Sequence, residues 1–576
     1  MFDVDKFSDE QKLIKEVFVD KNYDVIVNAF AGTGKTTTAI YVLSSLKGKR
    51  LYLVFNRQMR QEARKRITDN SVEVSTFHSL AFRYLKSIGY FDNKLVTDFS
   101  IKPYELAAIL DIDKKKAYWV TELLKVFLYS DVGFELMEDY VKELYDNSIF
   151  LQRVLESNGM QISQTIKLIE KYIDMIRSGK APIFHDFYLK DFCQIIRKDG
   201  ITGLTNEYEF LVVDESQDVN PILLQLLESM NAKKMIIGDK HQRIYQFRSS
   251  TDIHDYYLSK NVEELFLTES FRFGNDIAST ANIILGFKGE CKKIVGVGPN
   301  KKPLKKISII ARKNSSLFKE YLFFYKKEPN IIKYFTFERE LSEVMKTVVS
   351  VLLILMGIPV WKLKYYGIDT AFCDYSIINS FRTKKELEDY IKNVLNYSNN
   401  YIYSSEEDSE GNLKQTAQQN NLSKRDISKY VIDEYRTSTD EILTAYSIVT
   451  KNNLDLKIVS KIIKDYYENS NFRKEVFLTT AHSSKGQEYQ EVYIVDDLSI
   501  ISSLLRDYQE AKKNKFKKLE INKGFGKFVS KKKIKKIQED INLLYVSVTR
   551  ASHKLELSEN VKDTIKNMQD LNNSDQ

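Results

Sequence analysis

Val25-Ile26-Val27-Asn28-Ala29-Phe30-Ala31-Gly32-Thr33-Gly34-Lys35-Thr36 decides how the rest of the chain is read. A short β-branched run enters a glycine-rich turn, and helix formers follow through Leu46. That is the strand, loop and helix order of a P-loop, with Ala29 in place of its first glycine. Such a turn aims successive backbone N–H groups at phosphate oxygens at a helix N-terminus. Lys35 adds a point charge for the β and γ phosphates, and the Thr36 hydroxyl can ligate magnesium. Ala29, Gly32, Thr33, Gly34, Lys35, Thr36 and Thr37 are the expected nucleotide-binding set, with ATP and Mg2+ as the expected ligands. A glycine-rich turn that holds nothing is the blander reading of the loop alone, and the motifs below weigh against it.

Beyond the loop, short apolar runs recur, each followed by turn residues and a helix-like stretch, which is the pattern of buried parallel strands. Val25–Val27, Leu51–Phe55, Phe210–Val213, Met235–Ile237 and Leu265–Leu267 form one cluster. Ile307–Ala311, Val476–Thr479, Val492–Val495 and Leu555–Leu557 form another, so an α/β chain with two sheets is expected. Between the members of each cluster, 83–205 and 326–473 are helical in periodicity and read as insertions, the first containing Ala117–Tyr129 and Val154–Ile176. The second contains Ser404–Gln419, acidic and amide-rich, with the composition of a loop.

A chain of 576 residues exceeds one hydrophobic core. Hydrophobic residues at 43% and charged residues at 29% suffice for ordinary folded domains. The net charge of +8 suits a polyanion partner, but abundant Lys, Asn, Ile and Tyr also match AT-rich coding, so charge alone decides nothing. Cys193, Cys291 and Cys373 are scattered and odd in number, which disfavours a disulfide framework or a cysteine metal site and fits a reducing cytoplasm. The acidic start Met1-Phe2-Asp3 lacks the layout of a secretory signal. Val348–Val360 is too short to span a bilayer and reads as a buried helix, so no membrane partner is expected.

The apolar run Phe210-Leu211-Val212-Val213 delivers Asp214-Glu215-Ser216-Gln217-Asp218 at a strand's carboxyl end, where open α/β sheets bind ligands. Asp214 there suits magnesium through its water shell, and Glu215 suits polarising the water that attacks the γ phosphate. Alone, such an end is equally a solvated turn or helix cap. Further segments follow in order: Phe7-Ser8-Asp9-Glu10-Gln11, Val54-Phe55-Asn56, Thr76-Phe77-His78-Ser79 and Gly238-Asp239 running on to Phe247-Arg248. Leu267 to Arg272, Ala311 to Asn314, Thr480 to Glu488 and Leu544 to Ala551 complete the series.

With the P-loop and the acidic segment these make ten ordered matches, through which the chain resembles the superfamily 1 helicases of the UvrD, Rep and PcrA type, nearest their F-box DNA helicase branch. The resemblance implies two RecA-like motor domains with parallel sheets, each carrying a mainly helical insertion. It implies that Gln11 reads the adenine edge, Tyr245 stacks on adenine, Glu488 binds the ribose and Gln242 senses the γ phosphate. Arg272 and Arg550 become arginine fingers, which joins them to Lys35, Glu215 and Gln242 as the catalytic set, with Thr36 and Asp214 on the metal. In isolation each arginine reads as a surface ion pair.

Phe55, Thr76, His78, Phe247, Arg248, Arg312 and His482 are the implied nucleic-acid track, where phosphate contacts and aromatic faces accept any base. Phe55 and Phe77 are as readily core residues as platforms, whereas Phe247 between Gln246 and Arg248 is the better platform. The Lys-rich segment 512–536, with Phe516, Phe525 and Phe528, reads either as a nucleic-acid contact or, more plainly, as a solvated helical face.

The expected division is 1–85 and 205–268 for the first motor domain around an insertion at 86–204. The second motor domain takes 269–325 and 473–559 around an insertion at 326–472, with a polar tail at 560–576 and no appended nuclease. The expected function is ATP-driven movement along single-stranded DNA with separation of tailed duplexes, 3′ to 5′ by the resemblance, in repair, recombination or replication. Two other readings stand beside it. One is a protein-displacing translocase or motor subunit of a repair or phage-defence assembly with a protein partner; the other is a nucleotide-switched DNA-binding module. RNA stays open as a track, because phosphate binding and stacking do not report the sugar. Gln487, where relatives carry Leu, is a small departure.

Overall fold

The computed structural model describes residues 7–97, 103–147, 151–199, 204, 207–244, 253–299, 306–392, 441–498 and 531–574, apart from residues 22, 153–154, 157–158, 261 and 382. The chain divides into two compact units, the first running to Arg272 and regaining Lys292–Val297, the second made of Phe273–Cys291 and most of the chain from Gly298 onward.

The first unit holds β1 (Val25–Ala29), β2 (Arg50–Val54), β3 (Val72–Thr76), β4 (Phe210–Val213), β5 (Lys233–Gly238) and β6 (Glu263–Leu267). They form a six-stranded sheet ordered β3-β2-β4-β5-β1-β6, with every pairing parallel. Parallel neighbours need crossovers, and the helices Lys35–Ser45 and Arg57–Arg66 supply the first two. Strand alternation divides the apolar side chains between two cores. Ile26, Leu51, Leu53, Leu211, Val213 and Ile236 face one side, whereas Val25, Val27, Val54, Val212, Met235 and Ile237 face the other.

The first of these cores continues without interruption through the helix Phe77–Ser87 into the helices Lys114–Tyr129, Ile162–Arg177 and His185–Asp199. The helical segment therefore shares its apolar interior with one face of the sheet. The expected Ala117–Tyr129 lies within one of these helices, and most of Val154–Ile176 lies in another. A short parallel pair, β7 (Glu269–Ser270) and β8 (Val295–Gly296), also belongs to this unit.

The second unit holds β9 (Ile307–Ala311), β10 (Phe335–Phe337), β11 (Val476–Thr480), β12 (Tyr489–Ile494) and β13 (Ala551–Leu557), ordered β10-β11-β9-β12-β13 and again parallel throughout. The apolar run read at Val348–Val360 as a buried helix is helical to Met356 and buried to Ile354; the helix Leu341–Met356 stops at Gly357 in a left-handed conformation, φ 63°, and residues 357–360 lie beyond it. Among the described residues no single helix is long and apolar enough to cross a membrane.

Nine strands expected from apolar runs are present, within a few residues of their expected bounds. The strands β3 and β10 were not expected: Val72-Glu73-Val74 alternates instead of forming a run, and Phe335–Phe337 is three residues long. Of residues 560–576, expected as a polar tail, those to 574 belong to the helix Glu559–Ser574, where Val561, Ile565 and Met568 recur on one buried face and Asn572 donates to the Ile283 carbonyl at 2.9 Å. Ser404–Gln419 and residues 512–530 of the Lys-rich segment lie outside the described residues.

Candidate functional site

β1 ends in Ala29, and the chain turns through Gly32 and Gly34, both left-handed at φ 77° and 81°. Glycine takes this conformation without the penalty a Cβ imposes. The turn is also crowded, since a Cβ on Gly32 would come within 2.6 Å of the Arg272 Cβ. Gly34 then opens the helix Lys35–Ser45 with no side-chain cap, which leaves first-turn N–H groups directed at the loop. Thr33 closes the turn by donating to the Phe30 carbonyl at 2.8 Å.

β4 brings the acidic pair to the same place. Lys35 Nζ lies 3.9 Å from Glu215 Oε1, with both side chains largely buried. The Thr36 hydroxyl donates to Asp214 Oδ2 at 3.2 Å, and the Tyr52 hydroxyl, from β2, donates to the same oxygen at 2.7 Å. Burial, then the Glu215 charge, pushes the Asp214 carboxyl up to about 6, against the pull of Lys35 and Tyr52. Glu215 itself is left-handed at φ 51°, a conformation costing a non-glycine residue about 1–2 kcal/mol. Backbone strain of this kind gathers where a side chain must be aimed.

A chain of hydrogen bonds carries the acidic pair onward to β5. Gln217 Nε2 donates to Glu215, and its Oε1 accepts the Asp239 N–H at 3.0 Å. Asp239 in turn accepts the His241 N–H at 3.0 Å and Gln242 Nε2 at 2.8 Å. Gln242 is thereby tied to Glu215 through two intervening residues, the Gln217 side chain and the backbone and side chain of Asp239.

Gln11 closes another side of the loop. Its backbone and side chain form a reciprocal capping box with Ser8, and its Nε2 donates to Thr38 Oγ1 at 2.9 Å beside Gly34. Thr37 accepts from Arg66 Nη2 at 3.0 Å. Around this one loop the fold gathers Gln11, Ala29, Gly32, Thr33, Gly34, Lys35, Thr36, Thr37, Asp214, Glu215 and Arg272. The oxygen donors of Thr36 and Asp214, 3.2 Å apart, fit a hard divalent cation such as Mg2+.

The first unit's expected track residues lie at the far edge of the same sheet end. Val54 and Thr76 are register partners, so Phe55 just after β2 lies beside Thr76 at the end of β3 and His78 beyond it. Thr76 caps the helix Phe77–Ser87. His78 Nε2 lies 3.6 Å from Asp186 Oδ1, its ring is 5.5 Å from that of His185, and the exposed Phe82 stacks on Phe91 at 4.9 Å. Phe77 is buried in the core, whereas Phe55 is half-buried. Tyr245, Phe247 and Arg248 lie outside the described residues.

In the second unit the expected residues fall at opposite ends of one sheet. Arg312 and His482 follow the carboxyl ends of the adjacent strands β9 and β11. Arg312 pairs with buried Asp540 at 2.8 Å, and its backbone N–H donates to Asp497. Glu488 and Arg550 immediately precede β12 and β13, where the Tyr489 N–H donates to the Arg550 carbonyl at 3.0 Å. Arg550 is fully buried, donating from Nε to Val546 O at 3.0 Å and from Nη1 to Gln487 O at 3.3 Å.

With the loop, the acidic pair and their supports in place, the first unit can be compared with known proteins. Residues 9–261 match the UvrD/REP helicase N-terminal domain. F-box DNA helicase protein 1 of Schizosaccharomyces pombe is 25% identical over 96% of this chain and 57% of its own length. F-box DNA helicase 1 of Gallus gallus is 26% identical over 55% of this chain and 32% of its own, and DNA helicase II of Escherichia coli is 24% identical over 49% and 40%. The chain thus spans little more than half of the first of these relatives and less of the others.

Within the first unit, two residues at this site escaped the reading of the sequence. Tyr52 sits in the buried strand Arg50–Val54, and its signal was the hydroxyl itself, which a buried tyrosine must pair. Gln217 lay inside the acidic segment, but only the placement of β5 shows what its amide joins.

Proposed function

We propose that this chain is an ATP-driven DNA helicase or translocase, in which two RecA-like domains hydrolyse ATP and step 3′ to 5′ along a single strand. The observation that carries the reading is the joining of Lys35 and Thr36 to Glu215 and Asp214 at the carboxyl ends of parallel strands. The resemblance of the motifs and the names of the relatives support the DNA track, and the polarity rests on the resemblance alone.

In this reading the turn around Gly32 and Gly34 cradles the phosphates, Lys35 neutralises β and γ oxygens, and Gln11 reads the adenine edge. Thr36 and Asp214 would hold Mg2+, which supplies charge neutralisation at the transferring phosphoryl group. Glu215 accepts a proton from the attacking water, and Gln217 and Asp239 hold it in line with Gln242, the γ-phosphate sensor. By the resemblance, Arg272 and Arg550 act as arginine fingers, and Tyr245 and Glu488 as nucleoside contacts. Phe55, Thr76, His78, Phe247, Arg248, Arg312 and His482 form the strand track.

Steady-state ATP hydrolysis, measured without nucleic acid, with single-stranded DNA and with single-stranded RNA, tests the proposal. DNA should stimulate turnover strongly, and Glu215→Gln should lower it by about 10²–10⁴-fold. DNA binding without stimulation would reduce the chain to a nucleotide-switched binding module.

A further inference from the structure

The helix Arg57–Arg66 carries five basic residues and one acidic residue. Arg57, Arg60 and Arg64 recur at three and four positions and so share one face. Arg57 and Arg64 are exposed and Arg60 is half-buried. Gathered guanidinium groups repel one another, and folds ordinarily set carboxylates among them. Among the described residues none of these three arginines makes an ion pair. Arg60 donates from Nη1 to the neutral Ser79 hydroxyl at 2.6 Å, and its Nε is enclosed with no hydrogen-bond partner. Burial, and then the charges of Arg64 and Arg57, hold the Arg60 guanidinium below its ordinary value. Uncompensated positive charge at this density favours a multiply charged anion.

The fold also fixes where the ridge stands. Asn56 caps its helix by accepting the Met59 N–H at 2.9 Å, immediately after Phe55. Ser79, the partner of Arg60, accepts from Thr76 Oγ1 at 2.9 Å and is next to His78. The arginine face therefore borders the edge that holds Phe55, Thr76 and His78. Arg57 to Arg64 span about 10 Å of helix, longer than one phosphate group, and their exposure suits an extended chain better than an enclosed small anion.

We propose that Arg57, Arg60 and Arg64 form a phosphate-binding ridge for consecutive phosphodiesters of a single-stranded nucleic acid, separate from the phosphate site of the P-loop. The ridge deepens the nucleic-acid reading above and rests on it. It supplies affinity and ionic-strength dependence without base preference, as phosphate contacts do.

The test is fluorescence anisotropy of a labelled oligothymidylate with the full chain across a salt series. Arg57→Gln/Arg64→Gln should weaken binding at every salt concentration. It should also flatten the plot of log affinity against log salt by about 0.7 per arginine removed, roughly 1.4 in all. Arg57→Lys/Arg64→Lys, which keeps the charge, should restore most of the slope. Both positions are exposed, so an unchanged melting temperature should accompany the glutamine variant. Wild-type slope and affinity in the glutamine variant would overturn the ridge alone, provided the unaltered chain binds and is stimulated by the strand. Absence of strand binding by the unaltered chain would remove the nucleic-acid reading and the ridge with it.

Discussion

Tyr52 links a strand of the sheet to the ionisation of the site. Its hydroxyl donates to Asp214 Oδ2, and the same carboxyl is lifted from the ordinary 3.8 to about 6 by burial and by Glu215. Because the folded value lies above the unfolded one, the folded state binds more protons across that interval, and ionising Asp214 costs stability as pH rises through it. Removing a donor to the carboxylate raises the folded value further. Tyr52→Phe should therefore cost little near about pH 5 and about 1.5–3 kcal/mol near about pH 8, as for a hydrogen bond to a charged group. Urea unfolding at the two pH values measures this, and an equal cost at both would assign the hydroxyl to packing alone. At this scale the P-loop residues were legible from local order, because glycine, lysine and threonine act through nearby backbone. Tyr52 was not, because its partner comes from β4.

At the scale of elements, the helix Arg57–Arg66 joins two regions: Arg66 reaches Thr37 on the P-loop helix, and Arg60 reaches Ser79 beside the proposed track. A second element-level joint is Lys190, fully buried on the helix His185–Asp199. Its Nζ donates to the Phe127 and Ser130 carbonyls at 2.9 and 2.7 Å, capping the end of the helix Lys114–Tyr129. It also lies 4.3 Å from the Phe127 ring centre. Lys190→Met keeps the apolar stem but strands both carbonyls, and it should destabilise the chain by about 3 kcal/mol in urea unfolding. A loss under about 0.5 kcal/mol would mean that water replaces the ammonium. Helical periodicity located these helices, yet a lysine on an amphipathic helix reads as solvated until packing shows what encloses it.

At the scale of the whole molecule, Arg550 is the residue beyond the P-loop unit on which the proposed turnover is tested. Arg550→Lys should lower nucleic-acid-stimulated turnover by about 10³-fold, as loss of an arginine finger does, while leaving ATP binding detectable by equilibrium titration. Arg550 also supports its own turn through Val546 O and Gln487 O. A fall in melting temperature with turnover intact would make it a turn-builder only.

The sequence by itself determined the local chemistry: the glycine-rich turn at Gly32 and Gly34, the carboxylates at a strand end, the two clusters of buried strands and the order of the motifs. Apolar alternation, glycine placement and loop chemistry act over a few residues and can be read there. Only the tertiary structure decided that Thr36 and Asp214, 178 positions apart, share a hydrogen bond. It likewise joined Gln217 to Asp239 across the end of β5 and left three arginines on one helix without carboxylate partners among the described residues. Those relations follow from the strand order β3-β2-β4-β5-β1-β6 and from crossover packing. The free energy deciding that order is summed over contacts distant in sequence, which no local pattern records.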